Sequence, residues 1–155
     1  MQGDEPEPMK FQIALTGADE LRRNLATLEP RVAKKVIRRA LRAGSKIILD
    51  RAKATSPVLT GALRNSLRVR AMTRMRKSVL GMKVVTGKGF FTGETFYGAF
   101  VEFGHKIGSR KLGDQRKDVP GKHFIQEAAE TMTSRVGSQV SKDIAAGIEA
   151  EWKHG

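Results

Sequence analysis

The side chains that most often carry catalysis or bind metals are few in this chain and lie far apart. It contains no cysteine, and its three histidines are His105, His123 and His154. Disulfides and thiolate metal sites are therefore excluded, and no two histidines have the i, i+4 spacing of a zinc site. No Ser–His–acid set lies close together along the chain. We therefore expect no catalytic site, no metal and no cofactor.

The central glycines come close to phosphate-binding motifs without matching them. Gly81 and Gly87 are six residues apart, one more than the P-loop requires, and Gly89 stands where that motif needs Ser or Thr. The dinucleotide-binding pattern is also broken, because Thr92 occupies the position of its third glycine. We therefore predict that these glycines belong to loops.

Glu102 is the acidic residue with the most apolar sequence surroundings, because Phe100, Val101 and Phe103 flank it. A lone carboxylate in such a setting more often binds a nearby Arg or backbone N–H group than takes part in acid–base chemistry. We expect Glu102 to be partly buried and held by a basic or backbone donor.

Positive charge is concentrated in the first half of the chain. The net charge is +13, and residues 31–88 contain seventeen Lys and Arg against one acid, Asp50. This segment has no aromatic residue, which argues against base stacking on nucleic acid. Its field favours a polyanion or an acidic protein surface. Part of it forms a basic stripe at helical spacing, which is either a solvated helix face or a contact surface: Arg31, Lys35, Arg38, Arg42 and Lys46.

Hydrophobic periodicity predicts an α+β fold, in which a small antiparallel sheet packs with two long helices at about residues 30–54 and 122–152. In the second helix, apolar residues recur every four positions from Ala128 to Trp152. Because four residues turn a helix by about 400°, this stripe drifts beyond one face. A kink at a glycine of this helix, or contact with another subunit, would accommodate the drift.

Shorter elements and connections complete the expected order. Alternating residues predict strands at 10–16, 67–71 and 79–85, the last two forming a hairpin. A short helix is expected between the first strand and the first long helix, with Leu21, Leu25 and Leu28 on one face. Residues 96–104 suit a strand or a short helix equally. Residues 105–121 are predicted to be a polar loop, mobile in the free subunit and ordered only against a neighbour.

The length of 155 residues indicates one domain. We expect residues 1–8 to be an acidic flexible arm and residues 9–155 to be a single domain. No run approaches the roughly 20 apolar residues that span a bilayer, and the acidic N-terminus lacks the features of a signal peptide. We therefore expect a soluble protein that is made in a cytoplasm and has no membrane contact.

Two stretches carry an ordered set of turn and core residues. In the first, Pro57 stops a helix, Thr60-Gly61 makes a turn, and Leu63 returns to the core. In the second, Gly104 permits a sharp exit from an apolar segment, and Phe124 anchors the last helix. Their sequences are Pro57-Val58-Leu59-Thr60-Gly61-Ala62-Leu63-Arg64-Asn65-Ser66-Leu67, then Tyr97-Gly98-Ala99-Phe100-Val101-Glu102-Phe103-Gly104-His105, then Pro120-Gly121-Lys122-His123-Phe124.

In this order, the stretches resemble the head–tail joining family of tailed bacteriophages, the neck or tail-completion proteins like gene product ten of HK-type lambdoid phages. The resemblance spans about Leu21 to Ala129. His123 departs from it, because a second proline is common there; the 105–121 loop is longer than expected and the acidic arm is extra. The matching residues are Pro57, Thr60, Gly61, Leu63, Ser66, Tyr97, Val101, Glu102, Phe103, Gly104, Pro120 and Phe124.

The resemblance implies a non-enzymatic virion protein that forms a homo-oligomeric ring at the head–tail junction, either in the neck or as tail terminator. Six copies are favoured by tail symmetry, and twelve would match the portal. Its partners would be head-closure or adaptor proteins and tail-tube proteins, and double-stranded DNA would pass through its channel. The basic stripe would face that channel or a neighbouring subunit, whose acidic arm we expect to lie against it. The alternative is a non-specific basic nucleic-acid-binding protein.

Overall fold

The computed structural model describes residues 17–57, 61–72, 80–87, 97–108 and 117–154. The predicted strand at 10–16 and the acidic arm lie outside these ranges. The described elements mix helices with short antiparallel strands, so the α+β prediction is confirmed. In chain order they are α1 (Ala18–Ala26), α2 (Pro30–Thr55), α3 (Ala62–Ser66), β1 (Leu67–Ala71), β2 (Met82–Thr86), α4 (Gly98–Phe103), β3 (Gly104–Ile107), β4 (Lys117–Pro120) and α5 (Phe124–His154).

Helices α2 and α5 pack side by side and form the scaffold of the described chain. A Cβ atom on Gly147 would lie 2.6 Å from Val36, and one on Gly44 would lie 2.6 Å from Val140. The two helices are therefore antiparallel and approach closely at their glycines. Between them lies the helix-pair core, which consists of the buried residues Val36, Ala40, Val136, Val140, Ile144 and Ile148.

The four-residue spacing of α5 is matched by the same spacing in α2, where the buried residues include Val36, Ala40 and Gly44. Rows of residues four apart form the ridges through which helices most often interdigitate. Two stripes that drift alike stay in contact along both helices. The drift therefore needs no break in the helix, and α5 is continuous from Phe124 to His154.

The C-terminal half of α5 is covered by this chain itself. Leu21 and Leu25 of α1 pack against the helix-pair core, while Ile144 and Ile148 are buried without any second subunit. The suggestion that this half of the stripe requires another subunit was therefore wrong as far as Ile148. Trp152, predicted to belong to the apolar stripe, is instead 53% exposed.

Among the described residues, the strands form two separate two-stranded antiparallel sheets, where the sequence suggested one small sheet. The predicted hairpin is confirmed, because Leu67 of β1 pairs with Thr86 of β2. The second sheet pairs β3 with β4, both of which were assigned to a polar loop at 105–121. That assignment was wrong at both ends, because backbone hydrogen bonds can pair strands that have few apolar side chains. Residues 109–116 lie outside the described ranges.

Among the described helices, none combines the length with the apolar character needed to cross a bilayer. Both long helices lie within two residues of the predicted bounds. Helix α2 ends at Thr55, one residue late, and α5 runs from Phe124 to His154, two residues late at each end. Residues 96–104, where a strand and a helix were equally compatible, contain helix α4.

Candidate functional site

The acidic residue of the second stretch, Glu102, lies at the beginning of α5. Helix α4 places Glu102 there, and its side chain is fully buried. The backbone N–H of Ile125 donates to Oε2 of Glu102 at 3.0 Å, and the N–H of Gln126 donates to Oε1 at 3.0 Å. These N–H groups belong to the first turn of α5, where no helical carbonyl is available to them. Glu102 is thus a cap supplied from another helix.

Backbone contacts reinforce the same junction. The N–H groups of Lys122 and His123 donate to the carbonyl oxygens of Val101 and Glu102, at 2.7 and 3.1 Å. With the two bonds to the carboxylate, four hydrogen bonds therefore join the end of α4 to the beginning of α5. The expectation that Glu102 is held by a basic or backbone donor is confirmed for the backbone, although its burial is complete rather than partial.

Gly104 and Gly121 let the two backbones meet at this junction. A Cβ atom on Gly104, which has φ 81, would contact the carbonyl oxygen of Val119 and lie 2.7 Å from the N atom of Gly121. A Cβ atom on Gly121 would contact the carbonyl oxygen of Glu102 and lie 2.7 Å from the N atom of Gly104. Side chains cannot be accommodated on either side. Sequence reasoning did not single out Gly121, because a glycine is required there only by the close approach of a segment that is distant in sequence.

The backbone conformation at position 123 explains why His123 departs from the family pattern. Its φ is 46, whereas a proline ring holds φ near −65°. A proline therefore cannot occupy this position without a change in the backbone. The histidine accompanies a local conformation at the start of α5 that the proline-containing pattern would not adopt.

The first stretch packs beside this junction, because Leu63 and Leu67 belong to the same apolar cluster as Phe124. Gly61 has φ 75 and precedes α3, as the predicted turn requires. Leu63 is buried, and the hydroxyl of Ser66 donates to the carbonyl oxygen of Leu63 at 2.7 Å. Pro57 follows the end of α2 and is half-buried, whereas Thr60 lies outside the described residues.

The two stretches meet in one apolar cluster, although the 29 residues 68–96 lie between them in sequence. A Cβ atom on Gly98 would lie 2.9 Å from Leu63, so α4 rests directly on α3. Tyr97 and Val101 pack against the cluster, whereas Pro120 is exposed and Phe103 is half-buried. We call this cluster the motif core, and its buried residues are Ala52, Leu63, Leu67, Phe124, Ile125 and Ala128.

The basic stripe lies on the exposed side of α2. Arg31 and Lys46 are separated by about 22 Å along the helix, and the stripe faces away from Val36, Ala40 and Gly44. Within the described ranges, the single ion pair joins two residues of the second sheet instead. The five residues of this basic face are all exposed: Arg31, Lys35, Arg38, Arg42 and Lys46.

A metal or catalytic centre does not emerge from the part of the chain that the structure describes. No three His, Cys, Asp or Glu residues in it lie close enough together to hold a metal ion. The motif residues are thus engaged in turns, caps and packing. The exposed Trp152 is a further residue that sequence reasoning placed wrongly. The sequence carries no signal of its exposure, because Trp152 continues the four-residue apolar repeat.

Comparison with curated proteins and with solved structures finds no match for this chain. A family model does match residues 19–104, and its family is described as "Bacteriophage HK97-gp10, putative tail-component". The matched segment covers more than half of the chain and includes the basic face, the first stretch and Glu102. Pro120 and Phe124 lie beyond it. The chain therefore belongs to the HK97 gp10-like family of bacteriophage tail components, which are structural proteins of the virion.

Proposed function

We propose that this chain is a ring-forming subunit at the head–tail junction, in the neck or at the tail end, which joins the capsid connector to the tail and leaves a channel for DNA. The observation that carries the proposal is the family match over residues 19–104. A tail component contacts other virion proteins, and a junction protein must contact head-side and tail-side neighbours at once.

The packing of the motif residues supports a structural role. Side chains that an enzyme would present to a substrate are used here to fix the order of the elements. Glu102 accepts two backbone hydrogen bonds, and Leu63 and Phe124 are buried in the motif core. We therefore assign the motif residues to the scaffold that holds the subunit's outer surfaces in place.

The basic face supports a contact with negative charge. Five exposed cations along about 22 Å of one helix have no ion-pair partner among the described residues. In a ring, such a face suits either the DNA channel or an acidic surface of a neighbouring subunit. Either position would give these five cations a negatively charged partner.

The test is assembly with and without the chain. Phage particles made without it should accumulate as DNA-filled heads and separate tails, and purified protein should restore joined particles. Native mass spectrometry and electron microscopy of the assembled protein should give a closed ring of six copies, with twelve as the alternative. Infectious, fully joined particles that lack this chain would overturn the proposal.

The second candidate is non-specific binding of nucleic acid, which the unpaired basic face favours. A monomer that binds DNA through phosphates loses affinity steeply with salt, with a slope of about −0.9 per phosphate neutralised. The two functions are distinguished by the isolated monomer. Tight, sequence-independent DNA binding with such a slope supports the second candidate, whereas binding restricted to the assembled ring supports the first.

A further inference from the structure

A groove of about 400 Å³ lies between α1 and the C-terminal half of α5. Its apolar wall contains Leu21, Ile148 and Trp152, and two carboxylates, those of Glu20 and Glu149, stand on its rim. Lys142 also lines it, which leaves the lining with a net charge of −1. Trp152, the only tryptophan of the chain, is 53% exposed.

This lining suits a cationic side chain with an apolar stem. An arginine over the face of a tryptophan gains a cation–π interaction, and a nearby carboxylate adds a charge-assisted hydrogen bond. Both acids are exposed and make no ion pair within the described part of the chain. Tryptophan is also enriched among the residues that dominate protein interfaces.

The complementary surface is present on the same chain. Arg38 and Arg42 belong to the basic face, on the side of α2 that points away from α5. The groove lies on the flank of α5, on residues such as Ala145 and Glu149 that are offset from the buried stripe. The two surfaces therefore lie on different sides of the subunit. A ring closed by rotation requires two such different, mutually complementary surfaces.

We infer that the groove receives the basic face of α2 from the next copy of this chain. This inference rests on the proposed ring and names its subunit contact. Arginines of one copy lie against Trp152 and the two rim carboxylates of its neighbour, and the contact repeats around the ring. It also offsets the repulsion expected between copies that each carry a net charge of +13.

The absence of cysteine from the sequence permits a direct test. Two single-cysteine variants, Arg38→Cys with a size tag and Glu149→Cys without one, are mixed and treated with a short bismaleimide. A mixed dimer is expected, and neither variant alone should cross-link. Lys106→Cys, in β3 and outside both surfaces, is the matched control. Equal cross-linking of each variant with itself would overturn the inference, because such self-cross-linking requires a symmetric contact between copies.

Charge reversal tests the same contact without cysteines. Arg38→Glu should raise the concentration needed for assembly about tenfold, and adding Glu149→Arg in the same chain should restore it, since every interface then carries the reversed pair. Arg135→Glu, an exposed arginine elsewhere on α5, should have little effect. Deleting residues 1–8 should leave the mixed cross-link intact. Its loss would show that the acidic arm, and not the groove, holds neighbouring copies together, and would overturn the inference.

The fluorescence of Trp152 gives an independent readout, because no other tryptophan contributes. Assembly should shift the emission to shorter wavelength and protect it from iodide quenching. An assembled ring with unchanged quenching and no mixed cross-link would overturn the surface pairing while leaving the proposed function intact. A chain that is monomeric at every concentration, and that is absent from joined particles, would overturn both the surface pairing and the proposed function. DNA binding lost in Arg38→Glu while assembly is unchanged would assign the basic face to nucleic acid instead.

Discussion

At the scale of single residues, Glu102 connects helix α4 to the beginning of helix α5. A carboxylate at the N-terminus of a helix is stabilised by the exposed N–H groups and by the helix dipole. Most caps come from the residue immediately before the helix, whereas Glu102 precedes Ile125 by twenty-three residues. Its role is therefore to fix α4 against α5, as well as to satisfy the helix end.

Replacing Glu102 by alanine should lower the free energy of unfolding by about 1–3 kcal/mol, because one buried and one partly buried N–H group lose their acceptor. Glu130→Ala, at an exposed position in the same helix, should change it by less than about 0.5 kcal/mol. Urea denaturation followed by circular dichroism measures both. Equal midpoints for the two variants would show that the cap contributes nothing to stability.

Gly104 and Gly17 together separate two physical effects. Both have positive φ, at 81 and 74, but a Cβ atom on Gly17 would have no neighbour within 4 Å. Gly17→Ala should therefore cost about 1–2 kcal/mol, the strain of a left-handed conformation. Gly104, with φ 81 and ψ 177, lies in a backbone region that is essentially restricted to glycine. Gly104→Ala also adds a clash with the backbone of Val119, so it should cost at least about 2 kcal/mol more. Thermal unfolding of both variants provides the comparison, and similar costs would contradict the close approach at Gly104.

At the scale of elements, the α2–α5 pair depends on glycines at the helix contact. Gly44 and Gly147 each face a valine of the other helix, with an added Cβ atom only 2.6 Å from it. A valine side chain is stiff in a helix, so it cannot easily move aside. The two helices can therefore approach closely only because these positions have no side chain.

Gly44→Ala should destabilise the fold by about 1–3 kcal/mol through overpacking, even though alanine favours a helix by about 1 kcal/mol over glycine. Val140→Ala should destabilise it separately by leaving a cavity. The double variant should be more stable than the sum of the two effects predicts, because the added methyl group fills the space that the valine vacates.

Equilibrium denaturation of the four proteins in this cycle measures the coupling between Gly44 and Val140. Ser138→Ala, on the exposed side of α5, should have an effect within about 0.5 kcal/mol. Strict additivity of the two substitutions would mean that these positions do not pack on each other.

At the scale of the whole molecule, the distribution of charge is compatible with the proposed ring. The basic face, on one side of α2, and the groove with Trp152, on the flank of α5, lie on different sides of the described structure. The helix-pair core holds both surfaces on one rigid scaffold. A subunit built in this way can form the same contact repeatedly, with each copy offering one surface and receiving the other.

If the proposed ring is held partly by charge, its assembly should weaken with salt. Raising the ionic strength from 0.1 to 1 M shortens the screening length from about 10 to about 3 Å. We expect the assembled fraction in sedimentation velocity to fall over this range, while the unfolding midpoint of the monomer changes little. A fraction that stays constant or rises with salt would indicate that the subunits associate through apolar contact.

The sequence by itself determined the features that depend on local pattern. Periodicity places α2 and α5 within two residues of their observed bounds, because an amphipathic helix of such length has a clear repeat. The β1–β2 hairpin follows from alternation, and the turn at Gly61 follows from the residue type. The family could be recognised from the order of the motifs, since each motif carries local turn and core signals.

Only the tertiary structure decided what depends on distant segments. The partner of Glu102 is a pair of backbone N–H groups, which carry no sequence signal of their own. Gly121 is required because another backbone passes over it, and β3 and β4 pair through backbone groups that any residue supplies. Trp152 continues the apolar repeat and yet is exposed. The repeat determines only which face of α5 the side chain lies on, and neither α1 nor α2 covers that face at the end of the helix.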